Sequence, residues 1–447
     1  SGADPDFHRR DLWEAIEAGA FPEWEFGIQV FTEEDAAGWS FDVLDATKIV
    51  PEELVPVRPV GRMVLDRNPD NFFAETEQVA FCTAHVVPGI DFTNDPLLAG
   101  RIHSYIDTQI SRLGGPNFHE IPINAPVAPV FNNQRDGMHR QAIHRGRVNY
   151  EPNSLAGGCP FQAGIQGFTS FPQPVAEDKV RGHPERFAEH YLQATLFWKS
   201  QAPVEQAHIV RAFRFELSRV QVPAIRERVV AQLANVDDAL AEAVASGLGI
   251  EVPAPLPRAL EEPPVPEVEV SPALSLLTRP GDGSIRTRRV AILVESGVNG
   301  AAARAVHDAL LAQGAVPRFV GARLGRVESG DGGEPIEVSA TLENMPSVLF
   351  DGLVVPGGDR AAKRLGNLGH AAEFIKDQYR HAKPILALGA GRALVENAGV
   401  PATLPNGQPD PGLLRFDDGA LDDALPAFVA AIAAHRHHAR ELDPPRV

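Results

Sequence analysis

The pattern of apolar and polar positions predicts a mixed structure for the first part of the chain. Residues 7–19 have the spacing of a helix that Asp6 can cap, and residues 24–30 alternate as a half-buried strand does. A second strand is predicted over 60–65 and another helix over 72–81. The side chains expected to face inward from the first helix are Phe7, Leu12, Trp13 and Ile16. This mixture favours an α+β fold.

Helical periodicity returns further along, over residues 187–199 and 203–248, and predicts a helical bundle. Before it, the Pro-rich stretch 116–129 cannot lie inside a helix or a central strand, so we expect it to cross a surface. After it, residues 251–286 are rich in Pro and Glu, which is typical of a stiff linker at a domain boundary.

Strand and helix patterns alternate after this linker. Apolar runs predict strands over 290–294, 318–320, 351–355 and 384–388, and helical patterns cover 301–313, 371–382 and 422–438. This alternation predicts a doubly wound parallel sheet, and so an α/β domain of the flavodoxin-like type.

Composition narrows the classes of function. The 447 residues suit two or three domains, and a net charge of −18 argues against nucleic acid as a partner. No apolar run reaches the roughly 18 residues that a membrane span needs. The first residues do not resemble a signal peptide, and the two cysteines fit a reducing compartment, so a cytoplasmic location is expected.

The stretch 94–115 carries the candidate chemistry. Asn94 or Asp95 can cap a helix that Gly114 ends, and Arg101, Tyr105, Thr108 and Arg112 fall on one face of it. Cations close to a phenol favour its ionised form, and a tyrosinate is a hard anionic ligand for ferric iron. Taken alone, the pattern favours a buried, hydrogen-bonded tyrosine on an amphipathic helix with two solvated arginines over a metal ligand.

Longer motifs carry a resemblance to a known family. Residues 101–109 read RIHSYIDTQ and 112–118 read RLGGPNF, followed by QRDGM at 134–138 and NYEPNS at 149–154, after an opening FHRRDL at 7–12. In this order the motifs strongly resemble the haem catalases, over roughly residues 5–250.

The resemblance implies a function and a site. It implies haem, of b or d type, as cofactor, hydrogen peroxide as substrate, disproportionated to water and dioxygen, and a homotetramer. Tyr105 would be the axial ligand of the haem iron, Arg101 the cation that keeps it ionised, and Arg112 the partner of a haem propionate. The alternative is a non-catalytic haem-binding or assembly fragment.

No catalytic residue is assigned within this chain. The family supplies its distal His and Asn from a segment that precedes the matched motifs, so we expect a C-terminal piece of a longer enzyme without its N-terminal third. His8 is not expected to replace them. Within the match, His103 stands where the family usually has Phe, and we favour a satisfied buried histidine there. Cys82 is expected to be a packed small side chain, although a thiol near an oxidising haem could be modified.

The C-terminal part carries a second resemblance. VVPGG at 354–358 and KPILALGAG at 383–391 resemble the class I amidotransferase-like fold of intracellular proteases. Gly389 stands where that family has its nucleophilic cysteine, so a hydrolase is disfavoured. His435, His437 and His438 form a loose cluster that we interpret as a solvated helix end rather than a metal site. A structural or oligomer-stabilising role is expected, as in the appended domain of large-subunit catalases.

These interpretations give the following division of the chain: 1–115, partial catalase barrel and proximal haem helix; 116–186, wrapping segment; 187–250, helical bundle; 251–286, Pro-rich linker; 287–447, amidotransferase-like α/β domain.

Overall fold

The computed structural model describes residues 5–130, 132–172, 174, 176, 178, 180–182, 185–279 and 281–447. Residues 1–4 and Pro280 of the predicted linker therefore lie outside the described residues. The chain divides into two compact units: the first contains Ser1–Glu23, Val64–Asp66 and Leu276–Val447, and the second contains Trp24–Met63 and Arg67–Ser275.

The regular elements before residue 276 are mostly helical. In chain order they are α1 (Phe7–Glu17), β1 (Glu23–Ile28), α2 (Glu33–Gly38), β2 (Arg58–Val64), α3 (Pro96–Leu113), α4 (Leu192–Ser200), α5 (Pro203–Arg219), α6 (Pro223–Leu233) and α7 (Asp238–Leu248). Short 3₁₀ turns and one π-helical turn, Phe73–Glu77, lie between them.

The strand pair and the first helix differ from the prediction. In the described residues, the predicted partial antiparallel barrel is represented by a two-stranded sheet of β1 and β2. Strand β1 was predicted to be half-buried, but its apolar side chains are exposed: Phe26 is 61% exposed, and Trp24 and Ile28 are exposed too. A sheet of only two strands is too small to bury an apolar face of its own. Helix α1 ends at Glu17 and exposes Leu12 and Trp13, whereas Phe7 packs against the core of its unit.

The helix predicted over 72–81 is wrong in length. A π-helical turn covers Phe73–Glu77, and the chain then leaves helical geometry. Side chains from distant positions bind the backbone of the next residues, and these bonds replace the intrahelical ones that a longer helix would make.

The predicted bundle is present as α4–α7, which share one apolar cluster around Val230, Ala241 and Val244. Helix α4 begins later than predicted because a 3₁₀ turn occupies Glu185–Ala188. The region 203–248 contains three helices rather than one continuous pattern, since proline opens α6 and Asp237 caps α7.

The Pro-rich residues 251–271 contain no helix or strand where they are described, but they are held by the bundle. The amide of Leu256 donates to the carbonyl of Ala231 at 3.2 Å, and Asn235 Nδ2 donates to the carbonyl of Leu256 at 2.8 Å. Arg258 Nε donates in turn to Asn235 Oδ1 at 3.0 Å. This stretch is therefore packed along the bundle of its own unit.

Strands and helices alternate after residue 285, as predicted. In chain order the elements are β3 (Arg289–Leu293), α8 (Gly300–Ala312), β4 (Val316–Gly321), β5 (Gly325–Val327), β6 (Ile336–Val338), β7 (Ala340–Thr341), β8 (Gly352–Val355), α9 (Asp359–Gly366), α10 (Gly369–Arg380), β9 (Ile385–Leu388), α11 (Gly391–Asn397), β10 (Leu413–Phe416) and α12 (Leu421–Ala433). Helix α12 ends before the predicted residue 438, and His435 follows it with φ +65°.

Six of these strands form one parallel sheet in the order β10-β9-β8-β3-β4-β7. Alternate residues of β3 point to opposite faces: Val290 and Ile292 pack with α8 and α12, whereas Ala291 and Leu293 pack with α10 and α11. The two cores explain why residues 290–293 of β3 are apolar at every position.

No helix in the described part of the chain is long and apolar enough to span a bilayer.

Candidate functional site

Helix α3 presents the candidate site, and both of its ends are as predicted. Asp95 Oδ1 accepts from the amide of Leu97 at 2.8 Å, and Pro96 is the first helical residue. Gly114 closes the helix with φ +81° and donates its amide to the carbonyl of Ile110 at 3.1 Å. A left-handed residue of this kind favours glycine. The register of the helix is therefore fixed locally.

The structure brings Arg101 and Tyr105 together on this helix. Arg101 Nη2 lies 3.5 Å from the Tyr105 hydroxyl, a long hydrogen bond, and the guanidinium carbon lies 5.3 Å from the centre of the ring. Tyr105 is half-buried and Arg101 is exposed. The Phe81 ring meets the Tyr105 ring edge-on, with centroids 5.3 Å apart. The phenol oxygen therefore has a cation beside it.

Arg112 contacts the backbone of another segment. Its Nη1 donates to the carbonyl of Glu77 at 2.7 Å, and its Nη2 donates to the carbonyl of Val79 and, at 2.7 Å, to Gln109 Oε1. None of its described hydrogen bonds reaches Tyr105. Its role toward a propionate stays a prediction.

Sequence reasoning missed Gln109. This side chain is 4% exposed, and its Nε2 donates to the carbonyl of Phe81 at 3.0 Å. The signal was present: Ile102, Ile106, Gln109 and Leu113 form a stripe at helical spacing, and a polar residue within an apolar stripe needs a buried partner.

His103 corrects an expectation, because it is exposed rather than buried. Its position lies about 100° around the helix from Ile102, outside the stripe that Ile102, Ile106, Gln109 and Leu113 form. Cys82 is half-buried and is a free thiol, as is the exposed Cys159.

A histidine cluster is formed by His85, which precedes α3 in the chain, and His119, which follows it. The His85 ring stacks on Phe118 and meets the His119 ring edge-on, 5.1 Å between centroids. Arg140 Nη1 contacts His119 Nε2. Burial, and then the neighbouring Arg140 guanidinium, lower the pKa of His119 to about 4. The imidazole is therefore neutral at pH 7.

Gly389 lies in the sharp turn after β9, as the resemblance to the amidotransferase-like fold implies, and has φ +46°. A Cβ at this position would lie 2.3 Å from Asp418 Oδ2, and Asp418 Oδ1 is buried without a hydrogen-bond partner. A nucleophilic side chain at this turn would have to displace that carboxylate. The geometry gives the hydrolase hypothesis no support.

The three C-terminal histidines do not converge. His437 is buried and contacts the carbonyl of Ala431 at 3.1 Å, and His438 Nδ1 contacts Glu441 Oε1 at 2.7 Å. His435 Nε2 lies 3.6 Å from Asp351 Oδ1. Each is engaged separately, and the expected solvated helix end is wrong for His437.

Comparison with known proteins gives a consistent result along the chain. Residues 1–157 match the family model described as catalase, residues 184–248 match that described as catalase-related immune-responsive, and residues 286–441 match the C-terminal domain found in long catalases. Over these three ranges the chain is similar to catalases.

Individual relatives extend this similarity to nearly the whole chain. A catalase HPII of Pseudomonas putida is 48% identical over 450 residues, which are 99% of this chain and 60% of the relative. A catalase HPII of Mycobacterium avium is 48% identical over 456 residues, 99% of this chain and 63% of the relative. Catalase-B of Dictyostelium discoideum is 42% identical over 449 residues, with the same two shares of 99% and 63%. The chain thus spans about 60% of the length of these catalases.

Proposed function

We propose that this chain carries the proximal haem side of a catalase, which disproportionates hydrogen peroxide to water and dioxygen. The observation that carries the proposal is the Arg101–Tyr105 pair on α3, in a chain similar to catalases over 99% of its length. Tyr105 is the proposed axial ligand of the haem iron.

The residues fit this cofactor chemically. An ionised phenol is a hard anionic donor, and tyrosine is the axial ligand of catalase haem. The Tyr105 oxygen has one described hydrogen-bond neighbour, the Arg101 guanidinium, and that neighbour is a cation of the kind that favours the phenolate. The oxygen is therefore chemically suited to a metal.

Each residue has a distinct proposed part in the reaction. Haem, when bound, supplies the two-electron redox chemistry that converts one peroxide molecule to water and another to dioxygen. Arg101 is proposed as the cation beside the Tyr105 oxygen when that oxygen binds the metal, and an anionic oxygen ligand would favour the oxidised metal. Arg112 has five N–H donors, of which its three described hydrogen bonds use three, so it retains donors for a propionate.

The test uses the chain loaded with ferric haem. The wild type should show a tyrosinate-to-iron charge-transfer signature. Tyr105→Phe should abolish this signature, whereas the exposed Tyr150→Phe should keep it. An unchanged spectrum in Tyr105→Phe would overturn the ligand assignment. Dioxygen release from peroxide by this chain alone would contradict the expectation that it carries only the proximal side, without the distal His and Asn.

Further proposals concern the rest of the molecule. We propose the division into a catalase part, a linker over 251–286 and a flavodoxin-like, amidotransferase-like domain over 287–447, which is supported by the family match at 286–441. We also propose a cytoplasmic homotetramer, supported by the similarity to long catalases and by two free cysteines. A solution mass near four times 48.2 kDa would agree with it, and a monomer would contradict it.

A further inference from the structure

The segment that follows the π-helical turn is held by side chains rather than by secondary structure. Backbone groups outside helices and sheets still need partners when water cannot reach them. Gln109 Nε2 binds the carbonyl of Phe81 at 3.0 Å, and Arg112 binds the carbonyls of Glu77 and Val79. Two residues of α3 therefore hold three carbonyls of this segment.

Asn124 completes the set from another direction. Its Oδ1 accepts from the amide of Ala80 at 2.8 Å, and its Nδ2 donates to the carbonyl of Gln78 at 2.8 Å and to that of Phe118 at 2.9 Å. The backbone from residue 77 to residue 81 is thus bound at every residue.

This segment ends in the ring that contacts the proposed ligand. The Phe81 ring lies edge-on to the Tyr105 ring, at an interplanar angle of 84°. Phe81 is 57% exposed, so the packing around its ring does not by itself fix its position. The hydrogen bond from Gln109 to the Phe81 carbonyl fixes the position of Phe81, because Gln109 is buried and lies one helical turn after Tyr105.

We propose that Gln109 is a positioning residue for Tyr105: by binding the Phe81 carbonyl it sets the edge-on ring contact that orients the phenol oxygen toward the haem iron. This rests on the proposed ligand role of Tyr105. A metal ligand works when its supporting contacts hold its orientation, and loosening one of them broadens the range of ligand geometries.

Two variants test the proposal. Gln109→Met keeps most of the side-chain volume and removes both hydrogen bonds. Gln109→Glu keeps an acceptor for Arg112 but cannot donate to Phe81 when ionised. The control is Gln206→Met, which removes a bond of the same kind, from Gln206 Nε2 to the carbonyl of Trp198 at 3.0 Å, within the helical bundle.

Two measurements are needed for each variant. The first is hydrogen exchange of residues 78–81 in the haem-free chain, which should be about fivefold faster in both Gln109 variants, since a typical net hydrogen bond is worth about 1 kcal/mol. The second is the resonance Raman band of the iron–tyrosinate bond in the ferric haem complex. It should shift or broaden in both Gln109 variants and stay unchanged in Gln206→Met.

The outcomes separate this inference from the proposed function. A wild type without an iron–tyrosinate band overturns both. A wild type with the band, together with an unchanged band in Gln109→Met or Gln109→Glu, overturns the positioning role alone. Faster exchange at 78–81 with a shifted band in both variants supports it.

Discussion

Replacing Asp410 with alanine should destabilise the α/β unit by about 3–5 kcal/mol, because it leaves the Arg440 guanidinium buried without its counter-charge. The two side chains form a bidentate ion pair: Arg440 Nε lies 2.6 Å from Asp410 Oδ2, and Nη2 lies 3.1 Å from Oδ1. The exposed fractions of these side chains are 2% and 1%. Water therefore cannot solvate the remaining charge.

The other contacts of the pair decide where in this range the cost falls. Arg440 Nη1 still donates to the carbonyl of Lys383 at 2.6 Å, and its guanidinium carbon still lies 4.8 Å from the Tyr379 ring centre. Against this, the amide of Gly412 loses its acceptor, Asp410 Oδ1, at 2.9 Å. The retained contacts reduce the cost and the orphaned amide adds about 1 kcal/mol, so a value near the middle of the range is expected.

The assay is urea unfolding followed by circular dichroism at pH 7. The matched control is Glu337→Ala, which breaks the Arg326–Glu337 pair, 3.3 Å apart with side chains 78% and 68% exposed. That pair should be worth at most about 1 kcal/mol. The double variant Asp410→Leu/Arg440→Met removes both charges and should cost less than Asp410→Ala alone. If Asp410→Ala costs no more than Glu337→Ala, the reasoning from buried charge is wrong.

Three other predictions follow from individual contacts. Asp95→Ala removes the cap of α3 and should cost about 1 kcal/mol in urea unfolding, whereas the exposed mid-helix change Asp107→Ala should cost less; equal costs would contradict the capping role. Gly389→Ala should cost about 1–2 kcal/mol because of the left-handed φ and the Asp418 carboxylate. In the double variant Gly389→Ala/Asp418→Ala, only the stability lost to the clash with the Asp418 carboxylate should be recovered. Recovery of all the lost stability would show that the backbone at residue 389 is not strained. The pKa of His119 is about 4 in the folded chain and about 6.5 in the unfolded chain. As the pH drops through this range, His119 is protonated in the unfolded chain but not in the folded chain, so the free energy of unfolding should fall. His119→Asn should remove about 1 kcal/mol of that fall after allowance for solvent screening, as measured by unfolding at pH 7, 5.5 and 4.5, and an unchanged pH profile would contradict the assignment.

The sequence by itself determined the elements whose signals are local. The ends of α3 were predictable because Asp95, Pro96 and Gly114 act on backbone groups within a few residues of themselves. Strands β8 and β9 and residues 290–293 of β3 were predictable because a strand segment buried on both faces is apolar at every position. The pairing of Arg101 with Tyr105 followed from helical spacing alone.

Only the tertiary structure decided which distant groups meet. The contact of Gln109 with Phe81 joins residues 28 apart, and that of Arg112 with Glu77 joins residues 35 apart. Likewise, Asp418 lies against Gly389 from the turn after a neighbouring strand. No periodicity encodes such contacts, because they depend on the path of irregular loops between elements. The sequence therefore specified the helix that carries Tyr105, whereas folding specified the side chains that hold its surroundings.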